Sequence, residues 1–564
     1  MINRITLASC VQKLTLFYLA ILLIGAIGSC STKNQTLAKE SEAIGVLPAE
    51  GEFHFVEITE QAGLFFKHSI GDNILSNVVE SVGGGAAFLD YDQDGFLDIY
   101  IVNSSFSEEF SEGEKPGTLP ANALFHNLKN GRFEDATNSA GVGDTGFGMG
   151  VNIGDYDNDG YPDIYVSNYG PNILYHNNGN GTFTDLTSKA GVAGNACSIG
   201  AVWLDYDKDG WIDLYVGNYI RFDPKYNLFY APDGFPGPTN FDGEPDVLYH
   251  NLGNGKFEDV TQRMGIFKKD GRAMGVGSAD YDNDGFADIY VANDQMLNYL
   301  FHNDGGKGFT EVAIKTGVAF NQSGEATSSM GVDFGDYNGD GWIDLFVSDD
   351  SYSALYQNLG DGLFIDQSYQ SGIAVTSGQF VGWSASFLDY DNDMDLDIFK
   401  VNGELQHLYG QEDQLFENIG SEKFRDVSVA QGSYFHKELV GRGACFGDYD
   451  NDGDLDAFIN NLNDHPVLLR NDIGNHNNWL LIQLTGTVTN KDGIGTKVKI
   501  ITHDKIQHSE RRNANGYLSQ NDPRMHFGLG RNEIVESIEV FWPSGKTQKL
   551  DHVKCNQILK IMEP

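Results

Sequence analysis

The sequence predicts an all-β protein, a seven-bladed β-propeller followed by a small β-rich C-terminal domain. Three observations predict it. An acidic loop pattern recurs seven times, with starts 50 to 75 residues apart. Two further patterns recur seven times in step with it. The segments beside the loops, such as DIYIVN, DIYVSN and DLYVGN, are β-branched and alternating, as strands are. Seven four-stranded units of this size have the dimensions of propeller blades.

The loops read DYDQDGFLD from Asp90, DYDNDGYPD from Asp155, DYDKDGWID from Asp205, DYDNDGFAD from Asp280, DYNGDGWID from Asp336, DYDNDMDLD from Asp389 and DYDNDGDLD from Asp448. Oxygen donors stand at positions 1, 3, 5 and 9. They are Asp90, Asp92, Asp94 and Asp98 in the first loop and Asp155, Asp157, Asp159 and Asp163 in the second. The third has Asp205, Asp207, Asp209 and Asp213, and the fourth Asp280, Asp282, Asp284 and Asp288. The fifth has Asp336, Asn338, Asp340 and Asp344, the sixth Asp389, Asp391, Asp393 and Asp397, and the seventh Asp448, Asp450, Asp452 and Asp456.

Clustered carboxylates repel one another, and Ca²⁺ takes six to eight hard oxygen ligands at short range. The four side chains and the carbonyl at position 7 can surround one ion, while Gly at position 6 permits the tight turn. Mg²⁺ suits the loops less well, since it keeps more water. An EF-hand is excluded: position 12, where a bidentate Glu belongs, holds Ile101, Val166, Val216, Val291, Val347, Lys400 and Ile459. Met394 replaces Gly in loop six, so that loop has the least regular pattern. Up to seven Ca²⁺ are expected, each a structural clip, which would take the formal charge from −43 to −29.

The second pattern is aromatic–acid–x–Thr–x–x–Ala–Gly, as in FEDATNSAG from Phe133 and FTDLTSKAG from Phe183. The third is x-Leu-aromatic-x-Asn, ending at Asn127, Asn177, Asn251, Asn303, Asn358, Asn418 and Asn471. Each blade is then strand A before the loop, B after it, C with the Leu-aromatic pattern and D with the Thr pattern. NNGNG at Asn177 and NLGNG at Asn251 suit tight C–D hairpins. The seventh unit lacks a D strand, and the seventh Thr-pattern copy lies at the other end of the chain. Residues 53–59 are therefore expected to complete the last blade of a propeller spanning 53–474, because an open array would expose its edges.

With 37 Lys and Arg against 80 Asp and Glu, nucleic acid is excluded as a partner. Hydrophobic residues make up 40% of the chain, which argues against disorder. Cys10, Cys30, Cys197, Cys445 and Cys555 form no CxxC pair and no even framework, so neither a zinc site nor a disulfide scaffold is indicated. Arg4 and Lys13 precede an apolar run, Leu14 to Gly28, which has the length of a signal-peptide core. The Ile27-Gly28-Ser29-Cys30 stretch resembles a bacterial lipobox, which implies a signal at 1–29, a lipid on Cys30, a polar tether over 30–52 and an envelope location. Ser31 after the cysteine resembles outer-membrane sorting. Plain secretion with cleavage nearby is the alternative.

The repeats resemble the FG-GAP and VCBS propeller repeats of integrin α-subunits and bacterial surface proteins, and the integrin-type calcium loop between strands A and B is matched at the positions above. Residues 478–564 carry GIGTKV at Gly493, NGYLSQNDPRMHFGLG from Asn515 and WPSG at Trp542. They resemble the ASPIC/UnbV domain and read as a separate module. Together, residues 53 to 564 resemble a bacterial branch of the cartilage acidic protein family, which implies an exported calcium-binding protein. Tyr517, Ser519, Gln520, Arg524 and His526 form the polar cluster of the last module. They read as satisfied turn residues, with ligand recognition as the alternative.

Strand parity puts the A–B and C–D turns on one face and the B–C and D–A connections on the other. Two B–C inserts are long. Tyr219 to Pro245 is aromatic, and Ser104 to Ala121 carries Glu108, Glu109, Glu112 and Glu114. Tyr219, Phe222, Tyr226 and Tyr230 are candidate ligand contacts, though such aromatics can also simply pack an insert onto its scaffold. The expected function is a binding or adhesion module for a glycan or an envelope protein, reaching the membrane only through its lipid. No catalytic triad or phosphate motif is present, so an enzyme is not expected. A lyase or hydrolase acting on polysaccharide is the alternative, with His68, Lys268, Arg272, His436 and Arg442 in the segments near the axis.

Overall fold

Seven four-stranded antiparallel sheets follow one another around a ring. The computed structural model describes residues 54–226 and 234–564. The expected signal, the lipidated Cys30, the tether and Tyr230 lie outside the described residues. Blade one consists of Ala86–Leu89, Asp98–Ile101, Ala123–Asn127 and Phe133–Asp135, in that order across the sheet. Blades two to six repeat the plan, with inner strands Phe147–Gly154, Ser198–Leu204, Ala273–Ala279, Ser329–Gly335 and Gly382–Leu388. The inner strand of blade seven, Gly441–Gly447, lies between those of blades six and one, so the ring closes.

The outermost strand of blade seven is Phe55–Glu57, paired antiparallel with Val467–Asn471. Phe55 lies opposite Asn471, and Glu57 opposite Leu469. Phe55 is buried against Tyr390, Phe399 and Phe435, with ring centroids 6.0 to 6.1 Å away. The two ends of the ring are thus joined by ladder hydrogen bonds and by an aromatic core, and Val467–Asn471 is paired on both sides.

The asparagine that ends each C strand staples neighbouring blades. Its amide nitrogen donates to the carbonyl of the loop tyrosine one blade back: Asn127 to Tyr449, Asn177 to Tyr91, Asn251 to Tyr156 and Asn303 to Tyr206. Asn358 to Tyr281, Asn418 to Tyr337 and Asn471 to Tyr390 complete the circle, all seven at 2.7 to 3.0 Å. Each of these asparagines is buried. The x-Leu-aromatic-x-Asn pattern recurs because every blade boundary needs one such donor.

The C-terminal domain is two sheets packed face to face. One has the order Met525–Gly530, Asn478–Thr485, Gln557–Met562, and the other Ile506–Glu510, Lys497–Ile501, Ile534–Phe541, Thr547–Lys554. Leu480, Ile482, Val498, Ile500, Phe527, Val540 and Trp542 fill the space between them. The domain has its own sheets and core, and it packs with the propeller into one compact unit. The connection over 511–524 leaves the sheets and enters the centre of the ring.

That connection bonds to the innermost strands of nearly every blade. Phe88 N–H donates to Gln520 O and Gln520 N–H to Ala86 O, each at 3.1 Å. Val151 N–H donates to Leu518 O at 3.1 Å, Gly516 and Val332 exchange both backbone bonds at 2.9 Å, and Asp522 N–H donates to Phe446 O at 2.9 Å. Tyr517 N–H donates to the Ser384 hydroxyl at 3.2 Å, and Trp203 N–H to Asn513 Oδ1 at 3.4 Å. Tyr517 and Leu518 then join Met149, Ile199, Met274, Met330 and Trp383, one residue from the inner strand of each of blades two to six, in a single buried cluster. Glycines along these strands permit the approach. A Cβ on Gly85 would stand 2.2 Å from the Leu518 carbonyl oxygen.

Candidate metal centres

Each acidic loop is folded around its own carboxylates. In loop two, Asp159 N–H donates to Asp155 Oδ1 at 3.0 Å and Gly160 N–H to Asp155 Oδ2 at 2.7 Å. Tyr161 N–H donates to Asp159 Oδ1 at 2.9 Å. The chain turns at position 6 through a left-handed conformation, φ 96° at Gly160. Met394 adopts the same conformation, φ 83°, and loop six keeps both bonds to Asp389 at 2.9 Å. The Met394 side chain lies beside Thr502 and Asn532 of the C-terminal domain. Loop six therefore makes the common turn without a glycine.

Position 9 ties the loop to strand C. Asp98 Oδ1 accepts from Asn127 N–H at 2.8 Å and Oδ2 from Tyr91 N–H at 3.2 Å. Asp163, Asp213, Asp288, Asp344, Asp397 and Asp456 repeat the bond from strand C. The carboxylates converge, with Asp90, Asp92 and Asp94 presenting oxygens within 4.8 Å of one another. Burial pushes the Asp98 carboxyl up to about 6, Asp163 and Asp288 to about 7 and Asp213 to about 8. It also drives Asp397 well up, with Asp389 as the next cause.

The donor set fits a hard cation. Among the described residues, Asp157 Oδ1, Asp205 Oδ1, Asp280 Oδ1, Asp391 Oδ1, Asp397 Oδ2 and Asp450 Oδ1 are buried and accept no hydrogen bond. These oxygens sit at positions 1, 3 and 9 of five loops. A buried carboxylate oxygen without a donor is costly, and a cation held between the loop oxygens would satisfy it.

A histidine joins the group in four blades, at the variable position just before the terminal Asn of the x-Leu-aromatic-x-Asn pattern. His126 Nδ1 lies 3.1 Å from Asp98 Oδ1 and 3.7 Å from Asp92 Oδ2. His176, His250 and His302 stand equally close to Asp163, Asp213 and Asp288. The bond to Asp98 holds His126 above its usual range, and the bond to Asp288 raises His302 to about 9. Blades five, six and seven have Gln357, Glu417 and Arg470 at this place. The signal was the recurrence of His at one fixed step before the stapling Asn.

The FG-GAP-like repeat family matches residues 90–166, 155–216, 239–291, 280–347 and 336–399, about half the chain, and the ASPIC and UnbV family matches 486–564. The chain belongs to the FG-GAP-like repeat family. It carries an ASPIC and UnbV domain behind the repeats. Cartilage acidic protein 1 of Mus musculus is 27% identical over 337 residues, covering 57% of this chain and 50% of the relative. The Homo sapiens protein is 27% identical over 336 residues, covering 57% and 48%. The chain spans about half the length of the curated relatives it matches. Among solved structures, an Agrocybe aegerita lectin that recognises non-reducing terminal N-acetylglucosamine aligns at 16% identity and TM-score 0.39, covering 68% of this chain and 86% of the lectin. YCF48 bound to D1 peptide aligns at 7% identity and TM-score 0.41, covering 75% and 96%.

The FG-GAP-like loops are covered by the ASPIC and UnbV domain. Lys497 Nζ donates to Asp280 Oδ2 at 2.6 Å, His508 Nδ1 stands 3.4 Å from Asp336 Oδ2, and Arg524 Nη2 donates to the Asp448 carbonyl at 2.6 Å. Lys491 N–H donates to Asn158 Oδ1 at 2.8 Å, and Lys505 pairs with Asp395. Tyr517, Ser519, Gln520 and Arg524 are buried at this junction, where they hold the two parts together.

The expected aromatic ligand contacts require correction. Tyr219 is fully buried in the axial cluster, and its hydroxyl donates to Asp294 Oδ2 at 2.6 Å. Phe222 packs on the same cluster, 5.6 Å from Phe110 and 5.3 Å from Phe241. These two side chains anchor the insert: Tyr219 presents no free face, and Phe222 is half-buried. Tyr226 is 45% exposed. Of the residues weighed for catalysis, His68 and Arg442 lie close together beside Gly84. Arg442 is buried, bonded to the carbonyls of Ser81, Gly441 and Glu404, and lies 3.7 Å over the Trp383 ring. His68 is buried, with Nδ1 accepting from Asn463 N–H. Lys268 lies over Tyr299, Arg272 donates to the Phe241 carbonyl, and His436 faces Glu412.

Proposed function

We propose that this chain is an exported, calcium-braced binding module, lipid-anchored through Cys30 in a bacterial envelope, whose insert-bearing face engages a glycan or a protein. One observation carries the reading: Tyr517 and Arg442, at the axis of the ring, are bonded to backbone carbonyls that hold the ring together. Tyr517, Arg442 and His68 are buried there among protein partners. That leaves recognition to the loops, and no catalytic step forms part of the proposal. The ring supplies rigidity, and the B–C inserts supply the variable surface, on which Tyr226, Glu108 and Glu112 are exposed.

Calcium supplies charge compensation within each loop. The loop carboxylates hold it, the asparagine staples fix each loop to the next blade, and the ASPIC and UnbV domain lies over the loops. The FG-GAP-like family membership and the unpaired loop oxygens support this reading.

The test is binding of the soluble chain Ser31–Pro564 to a glycan and matrix-protein array, with calcium and then with EDTA. A hit that depends on calcium supports the module and names the partner class. Turnover of a polysaccharide by the same preparation would replace this reading with an enzymatic one.

A further inference from the structure

A cavity of about 160 Å³ lies between the C-terminal domain and blades five, six and seven. Its floor is made by Phe334, Phe387 and Phe446, the penultimate residues of three successive inner strands. Its mouth lies beside the two edge strands of the C-terminal domain, Ile506–Glu510 and Met525–Gly530. Gln507 Nε2 donates to Gly528 O at 2.8 Å and holds these edges together.

The rim is polar. Arg512 uses only Nη2 on the protein, toward the Phe334 carbonyl and Asp333. His508 is held through Nδ1 by Asp336, which leaves Nε2 as a second ring nitrogen. Ser509 adds a hydroxyl to the wall, Asn515 an amide whose Nδ2 also donates to Asp333 Oδ1 at 2.9 Å, and Asp336, Asp389, Glu510 and Asp522 add carboxylates. Carbon beneath and hydrogen-bonding groups around suit a ring with an apolar C–H face and polar substituents at its edge. A lipid chain would leave the rim groups unpaired, and a strongly hydrated ion would leave the phenylalanine floor without a partner.

We infer that this cavity is a binding site for a single sugar residue, seated on Phe334, Phe387 and Phe446 and held at its edge by His508, Arg512, Ser509 and Asn515. The inference takes its ligand class from the glycan branch of the proposed function, and places a site on the face opposite the inserts. Neutral hexoses and uronates share this chemistry. His508 and Arg512 each face an aspartate, and Asp336, Asp389, Glu510 and Asp522 also line the cavity, so its charge favours a neutral hexose over a uronate.

The test is saturation-transfer NMR and calorimetry on the purified full chain with calcium, using glucose, galactose, mannose, glucuronate and galacturonate. At least one sugar is expected to bind. Ser509→Trp, which fills the cavity, should weaken it at least tenfold, and so should His508→Trp if the first variant fails to fold. Ile314→Ser, at an exposed residue outside the cavity lining, should leave the affinity unchanged. A preference for the neutral hexoses assigns the edge contact to the hydroxyl and amide, and a preference for the uronates that disappears in His508→Ala assigns it to the imidazole. No transfer to any of the five sugars overturns the site, as does binding that survives both Ser509→Trp and His508→Trp. In either case, a partner captured on the array by the same preparation leaves the binding-module reading standing.

Discussion

The Tyr517 hydroxyl, from the C-terminal domain, donates to the Val82 carbonyl at 2.8 Å, just ahead of the first blade. The tyrosine between them is fully buried and packs edge-on to Trp383 with ring centroids 5.1 Å apart. The domain that follows the repeats is therefore part of the propeller core. Tyr517→Ala should cost about 3–5 kcal/mol by opening a cavity at the axis, and Tyr517→Phe about 1 kcal/mol for the hydroxyl bond. Urea unfolding with calcium present measures both. Equal stability of wild type and Tyr517→Ala would show that the axis is not packed as described.

The asparagine staples should be individually costly. Asn251 donates to the carbonyls of Tyr156 and Ile212 and accepts from Gly253 N–H. Asn251→Ala leaves two buried carbonyls without donors, so a loss of about 2–3 kcal/mol is expected in the same unfolding experiment. Asn251→Asp should also destabilise, since a carboxylate offers no amide hydrogens to these carbonyls.

Closure of the ring rests on Phe55. Phe55→Ala should cost about 3–5 kcal/mol, because the ring fills a gap between Tyr390, Phe399 and Phe435. Removal of residues 53–59 should do more, exposing the edge at Val467–Asn471 and producing aggregation on size-exclusion chromatography. A monomeric truncation with an unchanged melt would contradict the closure.

The repeat architecture is legible in the sequence because strand alternation, the DxDxDG turn and the terminal asparagine all act over short separations. The left-handed turn at Gly160 follows from six consecutive residues. The axial plug is not legible in that way. NGYLSQND lies outside the repeat, and its partners, Gly85, Gly150 and Gly331, are glycines at or within inner strands whose pattern does not say what approaches them. Tyr219 failed for a related reason: an aromatic at the start of a long insert suits ligand contact, while its burial depends on Asp294, 75 residues away. Loop six was open on sequence because Met is rare in left-handed backbone, and its packing against Thr502 is a long-range contact.

Lys400 gives the fold a pH dependence. Its ammonium group is buried, donating to the carbonyls of Ser377 and Phe380 at 3.1 and 3.3 Å and to Gln414 Oε1 at 3.3 Å. Burial pulls it from 10.5 down to about 7. Between these values the unfolded chain binds one more proton than the native chain, so stability from this group rises with pH, by up to ~1.4 kcal/mol per unit. Below about 7 both states are protonated, and the full cost of burying the charge is present. Lys400→Met should therefore be favoured over wild type most at pH 6, with the difference shrinking toward pH 10. A difference independent of pH would show that Lys400 stays charged throughout.

The most direct test of the calcium-braced propeller is to count bound calcium and to follow the melt as it is removed. Equilibrium dialysis of the purified chain should find calcium approaching seven ions, one for each loop. EDTA should then lower the melting temperature by more than ~10 °C, since each occupied site stabilises the native state by mass action, by ~2.7 kcal/mol at a hundredfold excess over its dissociation constant. No bound calcium, with a melt indifferent to EDTA, would contradict the account.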